Sequence, residues 1–368
     1  MKECRVKDIC IKGSSNLKQK DVEGKKGLYP VYGASGIISF IDTYHQENEY
    51  IAIVKDGSGI GRVSFMPPKS SVIGTMQYIL PKEGYDIRYI GYCLQSLGLN
   101  KYKQGAAIPH IYFRDYGEKN IIVADNIDEQ RRIVSYLDSS FKLIDEIKDK
   151  ALKSLTEAKA LFQSALAEAM EPKEGWEEKT LGDVGSFKRG GNFTKRDFVE
   201  DGFPCVHYGQ IHMRFRHITK QHLSCVPKEL VKKDRCAKKG DLIIAITSED
   251  DEGSCKCTAW MANYEVYVGG HTAIYTHNLD PIFMAYFFQS PRFQKEKLEY
   301  THGFKVVEIN PKDIAKIHIA YPPLSTQKQI VSHLDSLSSN VQQMEEKYQK
   351  MVEECDAMKQ AMLRDVFE

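Results

Sequence analysis

The densest group of chemistry-bearing side chains lies between residues 188 and 239, where 13 basic residues stand against 5 acidic ones. Lys188, Arg189, Lys195, Arg196, Arg214, Arg216, Lys220, Lys232, Lys233 and Arg235 are interleaved there with Phe193, His207, Tyr208, His212 and Phe215. Arg and Lys neutralise phosphate, and Arg, Asn and Gln hydrogen-bond base edges in pairs. The cluster as a whole fits nucleic-acid contact better than a plain solvated face. A second stretch, VKDGSGIGR at 54–62, follows an expected strand. Its glycine spacing is not the dinucleotide fingerprint. It reads either as a glycine-rich hairpin or as a close backbone approach to a phosphate, with Lys55 and Arg62 beside it. Cys255 and Cys257 form a C-x-C pair that could recruit Cys236 or His271, but the spacing is wrong for a zinc finger. His207, His212, His217 and His222 recur every five residues and do not share a helical face, so no metal site is expected. His110, after Pro109 in an expected loop, is either a satisfied structural histidine or a polar contact to a nucleic acid. The acidic run Glu249–Glu252 would repel phosphate and suits an exposed loop tip.

Groups that carry out reactions do not assemble. There is no nucleotide loop, no Ser/His/Asp set and no paired-carboxylate signature. Tyr321-Pro322-Pro323-Leu324 superficially resembles the adenine-methylase tetrapeptide but lacks its leading acid or amide and its closing aromatic, and reads as a loop before a helix. The expectation is a chain that binds without catalysing, with no metal or cofactor of its own.

The elements that must position these residues come in two copies. IVSYLDS at 133–139 recurs as IVSHLDS at 330–336, identical at six of seven positions, and the same offset sets Gln163 on Gln360. Residues 128–171 and 325–368 are thus two copies of one 44-residue segment. Upstream the match is weaker but keeps its order. CRVKDI resembles KTLGDV, LYPVYGASGI resembles FPCVHYGQI, and YIAIVKDG resembles DLIIAITS. IGYCLQS resembles MAYFFQS, and the stretch 104–124 resembles 301–323. The order predicts four parts: globular 1–127, helical 128–174, globular 175–324 and helical 325–368.

In the first helical copy Val134, Leu137, Phe141, Ile144, Leu155 and Phe162 lie on one 3–4-spaced stripe, which only Lys148 interrupts. In the second, Leu337, Val341, Met344, Tyr348, Met351 and Met358 do the same. No Pro or Gly breaks either segment. A seam so long needs an equally long partner, and the other copy is the evident one, giving an antiparallel coiled coil with pseudo-two-fold symmetry. Roughly 40 helical residues make a rod of about 60 Å. The globular parts read as mixed α and β. IISFI, YIAIVK, VSFM, MQYIL, DLIIAIT and AIYT are expected strands. RYIGYCLQSLGLNKY and PIFMAYFFQSPRFQKEKLEY are expected helices.

The chain has 368 residues, with 51 basic and 50 acidic side chains, which excludes a basic tail protein and an acidic disordered one. Charge is nevertheless segregated. Residues 1–127 carry net +4 and 175–324 net +2, while the helical segments carry −2 and −3. No run of about 18 apolar residues suggests a membrane span, and no apolar signal core follows the first residues. A cytoplasmic protein is expected, with its nine cysteines as free thiols.

YPVYGASGI, YIAIVKDGSGIGR, GAAIPHIYFRDYG, the EQRRIV…LD helix start with its partner TQKQIV…LD, and AKALFQSALAEAM together resemble the specificity subunit of type I restriction–modification systems. The resemblance spans essentially the whole chain. It implies an α+β fold with two target recognition domains, one for each half of a split, asymmetric DNA site. The two helical segments would form an antiparallel coiled coil that sets the gap between the halves. It also implies association with two methylase subunits and, in the full nuclease, two restriction subunits. S-adenosylmethionine, ATP and magnesium would belong to those partners. Expected DNA contacts in the first recognition domain are Tyr32, Ser35, Lys55, Arg62, Lys101 and Lys103. In the second they are Lys188, Arg189, Lys195, Arg196, Gln210, Arg214, Arg216 and Lys220. The alternative is a non-catalytic coiled-coil adaptor that binds only proteins.

Overall fold

The structure, a computed structural model, describes residues 1–57, 59–105, 109–303 and 306–367. One residue of the glycine-rich stretch, three of GAAIPH, two of the matching stretch near 304 and the last residue of the second copy lie outside the described residues. The chain divides into two compact units: Met1–Leu152 with Lys347–Glu368, and Lys153–Glu346.

In the first unit a four-stranded antiparallel sheet runs in the order Cys10–Ser14, Met76–Pro81, Tyr50–Val54, Val63–Met66. Every residue of Tyr50–Val54 is buried, as expected of a central strand packed on both faces. A smaller sheet holds Gly36–Ile41, Tyr29–Gly33 and Ser71–Val72. Lys2–Arg5 pairs with Asn120–Val123, which closes the unit next to the start of the first long helix. The helix Ile87–Ser96 covers the main sheet with Tyr89, Ile90, Cys93 and Leu94 buried. It is shorter than the expected 88–102 because Gly98 adopts φ 58°, and a separate 3₁₀ turn, Leu99–Tyr102, follows.

In the second unit the equivalent strands recur in the same order: Gly185–Arg189, Thr272–His277, Leu242–Ala245, Cys257–Trp260. A short parallel strand, Ile218–Thr219, is added at the Cys257–Trp260 edge. A second sheet holds Ser224–Val226, Phe203–Val206, Val266–Val268 and Cys236–Ala237. Glu177–Thr180 pairs with His318–Tyr321, repeating the closure of the first unit. The expected single helix 281–300 is two helices, Pro281–Phe287 and Pro291–Lys297. Pro291 cannot donate a helical hydrogen bond, and Ser290 caps the new start.

The long helices are Ile127–Met170 and Leu324–Phe367. Each is fastened to its unit by the same polar device. Gln130 and Gln327 are each 1 % exposed. Gln130 accepts from the Asp86 backbone N–H at 2.8 Å and donates to the Ala124 carbonyl at 3.2 Å. Gln327 accepts from Asp280 N–H at 2.9 Å and donates to the Pro322 carbonyl at 2.8 Å. Asp86 and Asp280 in turn cap the helices that begin beside them. Asp138 and Asp335, equivalent in the repeat, accept from the hydroxyls of Tyr92 and Tyr286.

The two long helices pack antiparallel within each unit. In the first, Lys148 reaches Asp356 at 2.9 Å and Lys359 reaches Asp145 at 2.6 Å. In the second, Lys159 reaches Glu345 at 2.8 Å. Val134, Leu137, Ile144 and Leu155 are buried, and Phe141, Phe162, Leu337, Val341, Met344, Tyr348 and Met351 are half-buried. Met358 departs from the expected seam, being 55 % exposed. A strict seven-residue repeat drifts around a helix of 3.6 residues per turn. The inward position here belongs to Lys359, whose ammonium lies 5.4 Å from the centre of the Phe141 ring. Leu363 and Phe367 are buried in the core of the first unit, Phe367 edge-on to Tyr89 at 5.2 Å. No helix among the described residues is long and apolar enough to cross a membrane.

Candidate nucleic-acid interface

In the first unit the glycine-rich stretch is a tight hairpin tip in which Gly57, Gly59 and Gly61 all have φ near +80°. A side chain at Gly61 would come within 2.5 Å of the Asn100 backbone nitrogen, so glycine lets the tip seat directly on the Leu99–Tyr102 turn. Arg62 donates to the Ala34 carbonyl at 2.9 Å and so joins this tip to the turn after Tyr32-Gly33 that carries Ser35. Arg62 and Lys101, both expected contacts, line one cleft of about 620 Å³ with Asn100, Gln95, Gln360 and Arg364. Among the described residues, three cations and no carboxylate line it. Arg364 comes from the second long helix and was not singled out in the sequence, because a lone basic residue on a helix carries no signal of what it faces. Lys103 is exposed, and Lys55 lies half-buried with its ammonium 3.8 Å from Asp56.

Asp56 also binds His110, whose Nδ1 lies 2.6 Å from its carboxylate. His110 stacks with Tyr112 at 6.2 Å and stays 38 % exposed at its side chain. Its backbone N–H and carbonyl both bond Gln104, each at 2.8 Å.

In the second unit Arg189 and Lys195 meet at a cleft of about 650 Å³ that Phe193, His207, Tyr208 and His271 also line. Glycines form part of the wall, and a side chain at Gly191 would collide with the Tyr267 hydroxyl. Tyr208 stands 4.5 Å from His207 and 5.1 Å from His271, ring centre to ring centre. Burial, then the nearby Lys195 and His271 charges, push His207 below the usual histidine range. Its neutral Nδ1 accepts from the Gly209 N–H at 3.2 Å. Arg189 donates to the Gly270 carbonyl at 3.1 Å and to Glu308 at 2.9 Å.

Two expected contacts have other duties. Gln210 accepts from the His207 N–H at 2.9 Å and donates to the Ser224 hydroxyl at 2.8 Å, so its amide holds the turn rather than projecting from it. Arg216 donates to Gln342 at 2.8 Å and to Glu345 at 3.3 Å, which ties it to the second long helix. Lys188, Lys195, Arg196, Arg214 and Lys220 are exposed. The four evenly spaced histidines go to four separate partners: Gly209, Thr247, Asp335 and Tyr264. Among the described residues no three metal-ligating side chains converge. Burial raises the Cys255 thiol to about 12 and Cys236 to about 11, so neither is poised as a thiolate. The acidic run 249–252 is exposed.

A surface of this kind, cations around glycine-rich turns with oriented aromatic and imidazole rings, can hold phosphates and present hydrogen-bonding atoms to base edges. Comparison with known proteins points the same way. The family model for the type I restriction modification DNA specificity domain matches twice, over residues 1–157 and 173–354. The chain is 25 % identical over 362 residues to the type I restriction enzyme MjaVIII specificity subunit of Methanocaldococcus jannaschii, covering 90 % of this chain and 84 % of that protein. It is 24 % identical over 196 residues to the EcoKI specificity subunit of Escherichia coli K12, covering 52 % of this chain and 42 % of that one. A chain solved in a study of assembly and conformational transition of the type I R-M system shares the fold at TM-score 0.74 and 17 % identity, over 99 % of this chain and 96 % of that one. The HsdS subunit of Thermoanaerobacter tengcongensis does so at 0.53 and 16 %, over 99 % and 95 %.

Proposed function

The chain belongs to the type I restriction modification DNA specificity family, and we propose that its two domains each read one half of a bipartite, asymmetric DNA site for a partner methylase and nuclease. The observation that carries this is the duplication itself. The same sheet order and the same glutamine clamps recur in both units, while the side chains around the turns differ. A shared scaffold with two unlike cationic surfaces suits two unlike half-sites.

On this reading the chain performs no chemistry. S-adenosylmethionine, ATP and magnesium are used by two methylase and two restriction subunits, and the assembly works in the cytoplasm. Arg62, Lys101 and Arg364 hold backbone phosphates of one half-site, and Lys188, Lys195, Arg196, Arg214 and Lys220 those of the other. Tyr136, Leu143 and Ile147 are between 52 % and 61 % exposed on the first long helix, at spacings of one face. That apolar stripe, away from the seam, is the docking surface for methylase. The length of the paired helices sets the gap between half-sites.

The test is to express the chain with its methylase in cells and map the modified adenines. Two short, unlike motifs at one fixed separation are expected. A single continuous motif, or modification with no motif, would exclude the reading.

A further inference from the structure

Which side chains read bases, rather than phosphates, follows from a feature that recurs in both units. In the first, the backbone of Asp56 bridges His110, Ile111 N–H bonds the Lys55 carbonyl at 2.9 Å, and His110 bonds Gln104 in both directions. In the second, Thr247 pairs with Glu308, Ile309 N–H bonds the Ile246 carbonyl at 3.0 Å, and Glu308 bonds His302 in both directions at 2.9 and 3.1 Å. The strand ends involved, 50–56 and 241–247, are equivalent in the repeat. His110 and Glu308 therefore occupy the same place on the same scaffold.

Their chemistry differs, and in each case a polar group is aimed and left accessible. His110 is fixed by Asp56 at 2.6 Å and by stacking on Tyr112. A neutral imidazole that donates its Nδ1 hydrogen to Asp56 keeps Nε2 as an acceptor. Glu308 fixes Arg189 at 2.9 Å, and the Gly270 carbonyl takes its Nε hydrogen at 3.1 Å. Three of the five guanidinium hydrogens remain, and Arg189 is 48 % exposed at its side chain. Phosphate contact tolerates a mobile ammonium such as Lys103 or Lys188. Base reading needs an atom held in place.

We propose that this duplicated bridge is the base-reading position of each unit, with His110 accepting from an exocyclic amino group of adenine or cytosine and Arg189 donating to guanine O6 and N7. The inference rests on the DNA-reading function proposed above and assigns its residues. Asp56 and Glu308 are positioning residues.

The experiment uses the full chain with its methylase on a randomised DNA library, sequencing what is modified. His110→Ala is expected to relax one base pair of one half-site, with discrimination there falling roughly 5- to 150-fold, and to leave the other half-site unchanged. Arg189→Ala should do the converse. Lys103→Ala should weaken all sites alike. The proposal is overturned if either variant keeps the parent motif, weakens every site uniformly, relaxes both halves, or loses all modification while melting like the parent. Should an alanine variant melt below the parent, His110→Asn and Arg189→Gln are judged by the same outcomes. A parent chain that yields no bipartite motif removes the underlying function. A bipartite parent motif with unmoved variants removes only this assignment.

Discussion

Gln130 sits in the first turn of a helix start, EQRRIV, whose counterpart around Gln327 is TQKQIV, so both were visible in the sequence as part of a motif. Their work was not. Each bonds a backbone group more than 40 residues away in the chain, at Asp86 and at Asp280. Spacing rules cover one helix or one strand and do not reach that far. Gln130→Ala should leave a half-buried N–H and a buried carbonyl unpaired and cost about 2–4 kcal/mol, measurable by thermal unfolding. An unchanged melting point would mean that water replaces the amide. His110 was seen as a choice between structural and DNA-contacting roles, and its partner Asp56 settles its orientation but lies 54 residues away. His277 gives a prediction of a different kind. Burial lowers it from 6.5 to about 4, and His207 and His217 are lowered in the same direction for the same reason. The unfolded chain therefore takes up protons that the native unit does not. Stability of the second unit should fall as pH drops from about 6.5 to about 4 and be intact at neutral pH. His277 supplies up to about 3 kcal/mol of that slope. His277→Gln should flatten it in unfolding measured at pH 7 and pH 4.5, and an unaltered slope would exonerate this histidine.

At the level of elements, the long helices were the most legible part, because apolar residues at 3–4 spacing without Pro or Gly leave little else to form. The ends of the shorter helices were less so. Gly98 and Pro291 each stop a helix where apolar periodicity alone would have continued it. In the seam, Lys148 looked like a flaw, but it forms an ion pair with Asp356 on the antiparallel partner helix, a pair suited to defining register. Lys148→Asp should lower the helix pair's stability by about 1 kcal/mol, and adding Asp356→Lys should restore it to within about 0.5 kcal/mol. Failure of the double variant to recover would show that the pair does not define register. The cleft formed by the glycine-rich tip, the Leu99–Tyr102 turn and the end of the second long helix gives another test. Removing the charge of Arg364 or Lys101 should reduce the slope of log affinity against log salt by about 0.9 each, with the motif unchanged. Titration of the methylase complex on its own DNA at several salt concentrations reads this directly, and a constant slope would remove both residues from the phosphate contacts.

For the whole molecule, the tandem repeat was plain in the sequence because the match of IVSYLDS with IVSHLDS fixes the offset of the two helical copies. The globular copies had to be matched by order alone, and their sheets could be compared only once the strand pairings were known. Strand order is a matter of which segments meet across long loops, and neither propensity nor spacing encodes that. Inserting one heptad into both long helices should lengthen the gap between half-sites while each half-site keeps its bases, read again from modified adenines. An unchanged gap would show that the helices are not the ruler.

The first compact unit is built from both ends of the chain, residues 1–152 together with 347–368, and Leu363 and Phe367 belong to its core. On the ribosome, then, the portion synthesised first cannot complete this core until residues 347–368 have left the exit tunnel. It must wait, incomplete, through the making of nearly two hundred others. A nonsense codon between positions 347 and 363 would thus wound the first unit rather than the second, which it follows.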